Sequence, residues 1–138
     1  MIERSSLTIY SALLALANPR DQYHDRAVKA SAAASRNGVT WVCTLLVLAE
    51  LHGHLLRYQT PARARATLHA LSADRSFDWI DVTDQLVRGA VESWITRFSD
   101  QAISLTDAVT FEVMRKEGLS VAFAFGRHFT VAGFRVLA

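Results

Sequence analysis

The sequence predicts a three-layer α/β/α sandwich, an α/β fold in which helices cover both faces of a mostly parallel central sheet. Short apolar segments rich in β-branched and aromatic residues alternate along the chain with longer segments whose apolar residues recur every three or four positions. The chain has 138 residues, of which 51% are apolar, and this suits one domain with one core. No repeat, low-complexity tract or Gly/Ser-rich linker interrupts it, so we predict a single domain over residues 1–138.

The first third of the chain predicts two strands and a helix between them. Residues 6–17, SLTIYSALLALA, begin with β-branched and aromatic residues and predict a buried strand that ends at an Asn-Pro turn. The polar, alanine-rich residues 22–36 predict a helix that an Asn-Gly pair stops. Residues 39–44, VTWVCT, predict the second strand.

The middle third predicts two helices and a strand. In residues 45–58, leucines recur at the steps of three and four that give a helix one buried face: Leu45, Leu48, Leu51 and Leu55. Pro61 after Thr60 is a good first residue for the next helix. Its apolar stripe is Ala64, Leu68 and Leu71. Residues 77–82, FDWIDV, alternate apolar and polar residues, as a half-buried strand does.

The last third predicts two capped helices and two strands. Thr83 can cap a helix whose apolar residues recur at steps of four and three: Val87, Val91, Trp94 and Phe98. Ser104 can cap the next helix, with Asp107 three residues later. The residues that face inward there are Ala108, Phe111 and Met114, and Gly118 ends the helix. Residues 119–125 and 134–138 predict the final strands.

Composition narrows the classes of function. The single cysteine, Cys43, excludes an intramolecular disulfide and a four-cysteine zinc site, and it fits a protein of the reducing cytoplasm. The acid at Glu3 argues against a signal peptide, and no apolar run reaches the roughly 18 to 20 residues of a spanning helix. The net charge is only +2, but 13 of the 15 basic residues are arginine. The preference for arginine over lysine is compatible with phosphate or carboxylate partners, but it does not require them, because genome base composition explains it equally well.

Three carboxylates can reach the crevice at the carboxyl ends of the strands: Glu50, Asp100 and Asp107. Glu50 shares a helix face with His54 and Arg57, although an ordinary solvated face explains that spacing by itself. The segment SLTD at residues 104–107 also has the pattern of a capping box. GxGxxG, P-loop and His-Glu-x-x-His motifs are absent, and the alternate residues Glu50, His52 and His54 diverge on a helix. A Ser or Cys nucleophile with a partner His stays open.

Four stretches together resemble, in order, the signature regions of the PIN domain: IYSALLALANPRDQYHDRA, TLLVLAELHGHL, SDQAISLTDAVTFEVMRKEGLSVAFAF and RHFTVAGFRVL. Within that family the sequence resembles VapC-type toxins of bacterial toxin–antitoxin pairs, over residues 7–137. The third stretch is specific, because SLTDA followed by a helix, a Gly-Leu turn and an AFAF strand does not arise by chance. The resemblance implies a PIN-like fold and a magnesium- or manganese-dependent ribonuclease.

The resemblance also implies an acidic site for divalent cations. Hard cations that activate water at a phosphodiester take oxygen ligands, and the family pattern has four carboxylates. Glu50 matches the second and Asp107 the third, so both are candidate metal ligands and, with Asp100 upstream, candidate catalytic residues. Ile9 and Gly126 stand where the first and fourth acids are expected. No Asp or Glu occurs in residues 5–19 or 119–138, so a shifted alignment does not restore them.

Two hypotheses follow from this departure. The first is a VapC-like PIN-domain protein that acts mainly as a binding module, with weak or no nuclease activity and weak or absent Mg or Mn binding. The second is an active Mg/Mn-dependent ribonuclease toxin with a reduced site of Glu50, Asp107 and Asp100, since Mg²⁺ often needs only one or two carboxylates. The resemblance further implies a homodimer and an antitoxin-like peptide as partners, with RNA as a further candidate and no membrane.

Overall fold

In the computed structural model, five strands form one parallel sheet between two layers of helices. The structure describes residues 6–9 and 11–137, and of residues 6–9 it describes the backbone. The strands are β1 Ser6–Ile9, β2 Thr40–Thr44, β3 Phe77–Ile80, β4 Val121–Phe123 and β5 Arg135–Leu137. They lie in the order β3-β2-β1-β4-β5, and each neighbouring pair is parallel. The predicted α/β sandwich with a parallel central sheet is confirmed.

Helices fill every connection between the strands. They are α1 Ser11–Ala17, α2 His24–Arg36, α3 Leu45–Tyr58, α4 Pro61–Ala73, α5 Asp84–Ala90, a π-helix Val91–Thr96, α6 Leu105–Glu117 and α7 His128–Val131. Connections of this kind let parallel strands pair while helices cover both faces of the sheet. In the part of the chain that the structure describes, no helix is both long and apolar enough to cross a bilayer.

Hydroxyl side chains begin four of the helices. Thr44, Thr60, Thr83 and Ser104 each accept a hydrogen bond from the backbone N–H three residues later. These bonds satisfy donors that have no partner inside the helix. The predicted caps at Thr83 and Ser104 are therefore confirmed. Gly118 ends α6 in the left-handed conformation, at φ 69°, also as predicted.

Each face of the sheet has its own apolar core. Helices α1 to α4 cover one face, where the buried side chains include Leu13, Trp41, Val47, Leu51, Leu55 and Phe123. Helix α5, the π-helix and α6 cover the other face, where they include Leu86, Trp94, Ala108, Phe111, Met114 and Phe129. Ala108, Phe111 and Met114 are fully buried, as the spacing of α6 predicted.

The predicted strand over residues 6–17 is confirmed over Ser6–Ile9 and wrong over Ser11–Ala17, and residue 10 lies outside the described residues. Residues Ser11–Ala17 form α1 instead, with Ala12, Leu13 and Ala15 buried. Alanine and leucine are strong helix formers, and a short unbroken apolar run has no period that separates a buried strand from a buried helix. The short helix α7 was not predicted, and β3, β4 and β5 are shorter than their predicted segments.

The buried faces of two helical segments differ from the predicted stripes. In α3, Leu45 is 41% exposed and Leu48 is half-buried, whereas Val47, Leu51 and Leu55 form the buried row at steps of four. Leu45 is the first residue of α3, at the edge where the chain leaves the sheet. After α5 the chain forms the π-helix, whose wider turn rotates the following side chains. Of the predicted stripe over residues 87–98, only Trp94 is fully buried.

Candidate acidic site at the carboxyl edge of the sheet

The order of the strands places a crevice at the carboxyl end of β1. The chain builds the sheet in one direction through β2 and β3 and then returns to add β4 on the other side of β1. At such a reversal the segments that follow neighbouring strands separate and leave room for a ligand. Ile9 pairs with Phe123, so the residues that follow β1 and β4 lie side by side at this edge.

Glu50 reaches this edge from the second turn of α3. Its Oε2 accepts a hydrogen bond of 2.5 Å from the hydroxyl of Thr106. Thr106 is buried and directly precedes Asp107 in α6. Because α3 and α6 cover opposite faces of the sheet, this bond joins the two layers at the crevice. It also places Glu50 in contact with the residue next to Asp107.

Asp107 is held rigidly at the start of α6. The Ser104 hydroxyl accepts a hydrogen bond from the Asp107 N–H at 3.0 Å, and Asp107 Oδ2 accepts one from the Ser104 N–H at 3.4 Å. This reciprocal pair is a capping box, which also places the carboxylate at the positive end of the helix dipole. Asp107 is only 7% exposed, so its carboxylate faces the protein more than the solvent.

His128 contacts Asp107, although it was not among the predicted site residues. Its Nδ1 lies 3.2 Å from Asp107 Oδ2, and its side chain is 27% exposed. The residue begins α7, so the fold of the segment after β4 delivers it to the crevice. The signal available in the sequence was its position directly after the Gly-Arg pair that ends the apolar AFAF run. Asp107 Oδ2 therefore faces both the Ser104 N–H and the imidazole of His128.

Asp100 is not part of this contact network. It lies exposed in the turn before α6, and the side-chain amide of Gln101 donates a hydrogen bond of 3.5 Å to it. The structure therefore brings Glu50 and Asp107 into the same neighbourhood by way of Thr106, while Asp100 remains on the surface. Its catalytic role stays a prediction.

The segment after β4 is tied to the start of α1. Ser11 Oγ accepts a hydrogen bond from the Phe125 N–H at 2.7 Å and donates one to the Phe125 carbonyl at 3.0 Å. The next residue, Gly126, is exposed at φ +101°, a conformation that side chains strongly disfavour. A Cβ there would meet no atom within 4 Å, so backbone conformation and not crowding favours glycine. The side chain of Ile9 lies outside what the structure describes.

A pocket of about 360 Å³ extends from Glu50 along α3 and is lined by Leu14, Glu50, Gly53, His54 and Arg57. The predicted shared face of Glu50, His54 and Arg57 is therefore present. Within the described part of the chain, His54 Nε2 is buried without a hydrogen-bond partner, and its ring packs 4.7 Å from that of Tyr58. The pocket thus combines an acid, an imidazole nitrogen and a guanidinium.

The residues that the structure describes do not fit the four-carboxylate cation site that the resemblance implied. A hard cation requires a cluster of oxygen ligands. Among residues 6–9 and 11–137 no group of three His, Cys, Asp or Glu side chains is placed to hold a metal ion. One oxygen of Glu50 and one of Asp107 already accept the hydrogen bonds given above.

Cys43 is not available as a nucleophile. Its side chain is 1% exposed, and burial raises the pKa of its thiol to about 12. The thiolate is the reactive form, and almost none exists near neutral pH at such a pKa. This removes Cys43 from the nucleophiles that the sequence left open.

Comparisons with known proteins agree with the fold described above. A family model described as the PIN domain matches residues 11–135. Over 53 residues the sequence is 43% identical to the 23S rRNA-specific endonuclease VapC20 of Mycobacterium tuberculosis, and this match covers 38% of the chain and 40% of that relative.

Two crystal structures have similar folds. One is VapC20 of Mycobacterium tuberculosis, described as a Sarcin-Ricin loop cleaving toxin. Its TM-score is 0.82 at 30% sequence identity, and the match covers 93% of this chain and 95% of the VapC20 chain. The other is VapBC2 from Rickettsia felis, bound to a DNA fragment from the promoter. Its TM-score is 0.67 at 12% sequence identity, and the match covers 95% of this chain and 97% of the VapBC2 chain. At that identity the second likeness concerns the fold alone.

Proposed function

The chain belongs to the PIN-domain family, with a VapC-like sequence and fold, and on this basis we propose that it is a binding module with weak or no ribonuclease activity. The observation that carries the proposal is the reduced set of acids at the crevice. Glu50 and Asp107 are present, whereas Ile9 and Gly126 stand at the positions where the family has its other two acids.

Two features of the site support weak chemistry. Loss of a metal ligand or of its support costs about 10- to 100-fold in affinity or activity, so two losses together reduce activity by about 10² to 10⁴. In addition, His128 contacts the carboxylate of Asp107, and a cation bound there would have to compete with this contact. The apolar cores on the two faces of the sheet are both present, so the loss of acids does not remove the fold on which partner binding would depend.

A nuclease assay tests this proposal. Pure protein incubated with RNA and Mn²⁺ or Mg²⁺ will cleave at a rate about 10² to 10⁴ below that of a PIN-domain toxin with all four acids. Asp107→Asn will lower this residual rate further, because Asp107 is one of the two acids that remain, whereas Arg88→Ala, which alters an exposed ion pair with Asp84 on α5, will leave it unchanged. Robust Mn²⁺-dependent cleavage that Asp107→Asn abolishes would contradict the proposal.

The second candidate function is an active Mg/Mn-dependent ribonuclease toxin with a reduced site of Glu50, Asp107 and Asp100. The Thr106 hydroxyl favours this second function, because its hydrogen bond holds the Glu50 carboxylate close to the start of α6, where Asp107 is the next residue. One or two carboxylates can suffice for Mg²⁺, which keeps several waters. Calorimetric titration with Mg²⁺ and Mn²⁺ separates the two functions, since undetectable binding at millimolar metal removes the basis of the second.

The proposed partners are RNA, an antitoxin-like peptide and a second copy of the chain. The relative VapC20 is a toxin specific for 23S rRNA, and this supports RNA and an antitoxin-like peptide as partners. Large apolar side chains are exposed at six described positions: Val28, Leu45, Leu56, Tyr58, Leu105 and Val131.

We expect the protein to be a homodimer in solution. Burial of exposed apolar side chains between two copies would supply the driving force, at roughly 25 cal/mol per Å² of apolar area. Sedimentation velocity at micromolar concentration will give the mass of two chains, and raising the ionic strength will not dissociate them. A single species with the mass of one chain would contradict this expectation.

A further inference from the structure

Another pocket, also of about 360 Å³, lies over the sheet between α1, α2 and α4. It shares no lining residue with the pocket beside Glu50. Its volume falls within the range of small-molecule sites. We call it the Asp74 pocket, and its lining combines apolar side chains with five polar ones: Ser31, Ser35, Thr67, Asp74 and Ser76.

Two aromatic side chains from neighbouring strands line the apolar side of the pocket. Trp41 of β2 is paired directly with Phe77 of β3, so the two side chains lie next to each other on one face of the sheet. Trp41 also stacks against Phe123 at 5.4 Å, and Phe77 stacks against Trp79 at 5.1 Å. These contacts fix both rings, so they offer a rigid apolar surface to an aromatic or aliphatic group.

Asp74 is fixed at the end of α4 by hydrogen bonds with the turn that follows. Its Oδ1 accepts hydrogen bonds from the Ser76 N–H at 2.9 Å and from the Ser76 hydroxyl at 2.6 Å. Its carbonyl accepts one from the Phe77 N–H at 3.2 Å. Among the described residues none donates a hydrogen bond to Oδ2, and Asp74 is exposed. One oxygen therefore holds the carboxylate in place while the other can accept a bond from a ligand, at little ordering cost.

The electrostatics of the pocket favour a positively charged ligand. Asp74 is the only charged residue that lines it in the described part of the chain. The basic residues that adjoin the lining in sequence, Arg36 and Arg75, do not line it. Both α2 and α4 reach the pocket with their last turns, α2 through Ser35 and α4 through Leu71. The carboxyl end of a helix carries partial negative charge, so both helices add to the field of Asp74.

We infer that the Asp74 pocket binds a small organic cation, in which an ammonium group is attached to an aromatic or aliphatic body. The ammonium group donates a hydrogen bond to Asp74 Oδ2, and the apolar body lies against Trp41 and Phe77. The described lining has one carboxylate and no basic side chain, which suits neither a hard metal ion nor a phosphate. This inference does not depend on the proposed function, because it involves neither RNA nor the acidic crevice.

Titration with phenethylamine and two compounds of similar shape tests the inference. Phenethyl alcohol has a neutral hydroxyl in place of the ammonium group, and hydrocinnamate has a carboxylate. In amide spectra the amine will give saturable shifts at Ser35, Ser76 and Phe77, with a Kd of about 1 mM. The alcohol will bind about 3- to 5-fold more weakly, and the anion will not bind, because its charge has the same sign as that of Asp74.

Three variants assign these effects to the pocket. Asp74→Asn keeps an oxygen for the bonds from Ser76 but removes the charge, so it will weaken amine binding about 3- to 5-fold and leave alcohol binding unchanged. Ala70→Phe adds a ring to the lining from α4 and will abolish binding of both compounds. Asp84→Asn removes an exposed acid from α5, on the other face of the sheet, and will bind the amine as wild type does. Thermal melts report that each variant is folded.

The results that overturn the inference are distinct from a failure of the proposed function. If the amine gives no saturable shifts at about 10 mM, the pocket does not take a small cation. If the amine and the alcohol bind wild type equally, or if Asp84→Asn weakens the amine as much as Asp74→Asn does, the pocket does not select cations. If a tripeptide amide of lysine, phenylalanine and lysine shifts the same amides and the amine does not, the occupant is a polypeptide and the assignment to a small molecule is wrong.

Discussion

Replacing both Ile9 and Gly126 with aspartate will give the protein a melting temperature that rises strongly with Mn²⁺. The resemblance to the family assigns its first and fourth acids to these two positions, so the substitutions are expected to add two carboxylates to Glu50 and Asp107. The backbone supports their proximity, because Ile9 is paired with Phe123, three residues before Gly126. Four carboxylates at one crevice provide the oxygen ligands that a hard divalent cation requires.

The expected shifts follow from strain and linkage. Without metal, the double variant will be less stable than wild type, because the acids repel one another and because φ +101° at position 126 costs a side chain about 1 to 3 kcal/mol. Free Mn²⁺ at about 100 times its Kd adds about 2.7 kcal/mol to the folded state. For a chain of this size that corresponds to a rise in Tm of about 8 to 13 °C. Wild type will shift by less than about 2 °C.

Single variants separate these effects. Gly126→Ala carries the backbone strain without a carboxylate, so it will lose stability and gain no response to Mn²⁺. Ile9→Asp adds one acid without strain at position 126 and will respond weakly. Differential scanning calorimetry with and without Mn²⁺ measures all four proteins. If the folded double variant melts at the same temperature in both conditions, the two positions do not face the site, and Gly126 is present for its backbone conformation alone.

Replacing Glu112 with alanine will lower the free energy of unfolding by about 1 to 3 kcal/mol. Glu112 lies in the middle of α6 and is only 2% exposed. Its Oε1 accepts a hydrogen bond of 3.0 Å from the Trp94 indole, and its Oε2 lies 2.6 Å from the Arg115 guanidinium. Truncation leaves the buried indole N–H without its partner and opens a cavity between α6 and the π-helix. Urea unfolding followed by tryptophan fluorescence measures the loss.

The same carboxylate gives a pH dependence of known sign. Hydrogen bonds from Arg115 first, and then from the Trp94 indole, hold the pKa of Glu112 below its ordinary value of 4.5, although burial opposes them. The ionised form therefore stabilises the folded state above about pH 4.5, and this contribution is lost as the pH falls through the lowered pKa. Glu112→Gln will flatten the acid limb of the stability curve. Trp94→Phe keeps the Arg115 pair and will leave that limb largely intact, and the reverse result would contradict this account.

The sequence alone determined the fold class and most of the helix boundaries. Alternation of strand-like and helical segments predicted the parallel α/β sandwich, because both periods follow from backbone geometry. Caps at Thr83 and Ser104 and the stop at Gly118 were predictable, since they depend on residues within one turn of the helix end. The sequence also identified Glu50 and Asp107 as the candidate acids.

Only the tertiary structure decided the contacts between distant segments. Residues 11–17 form α1 and not a strand, because an unbroken apolar run suits either and the packing around it selects one. Thr106 and His128, the contacts of the two candidate acids, come from 56 and 21 residues away along the chain. The hydrogen bond between Glu112 and Trp94, which are 18 residues apart, involves a residue of the π-helix. The spacing of apolar residues in the sequence does not predict that π-helix. Local rules fix where elements begin and end, whereas the partner of a buried polar group is set by which elements pack together.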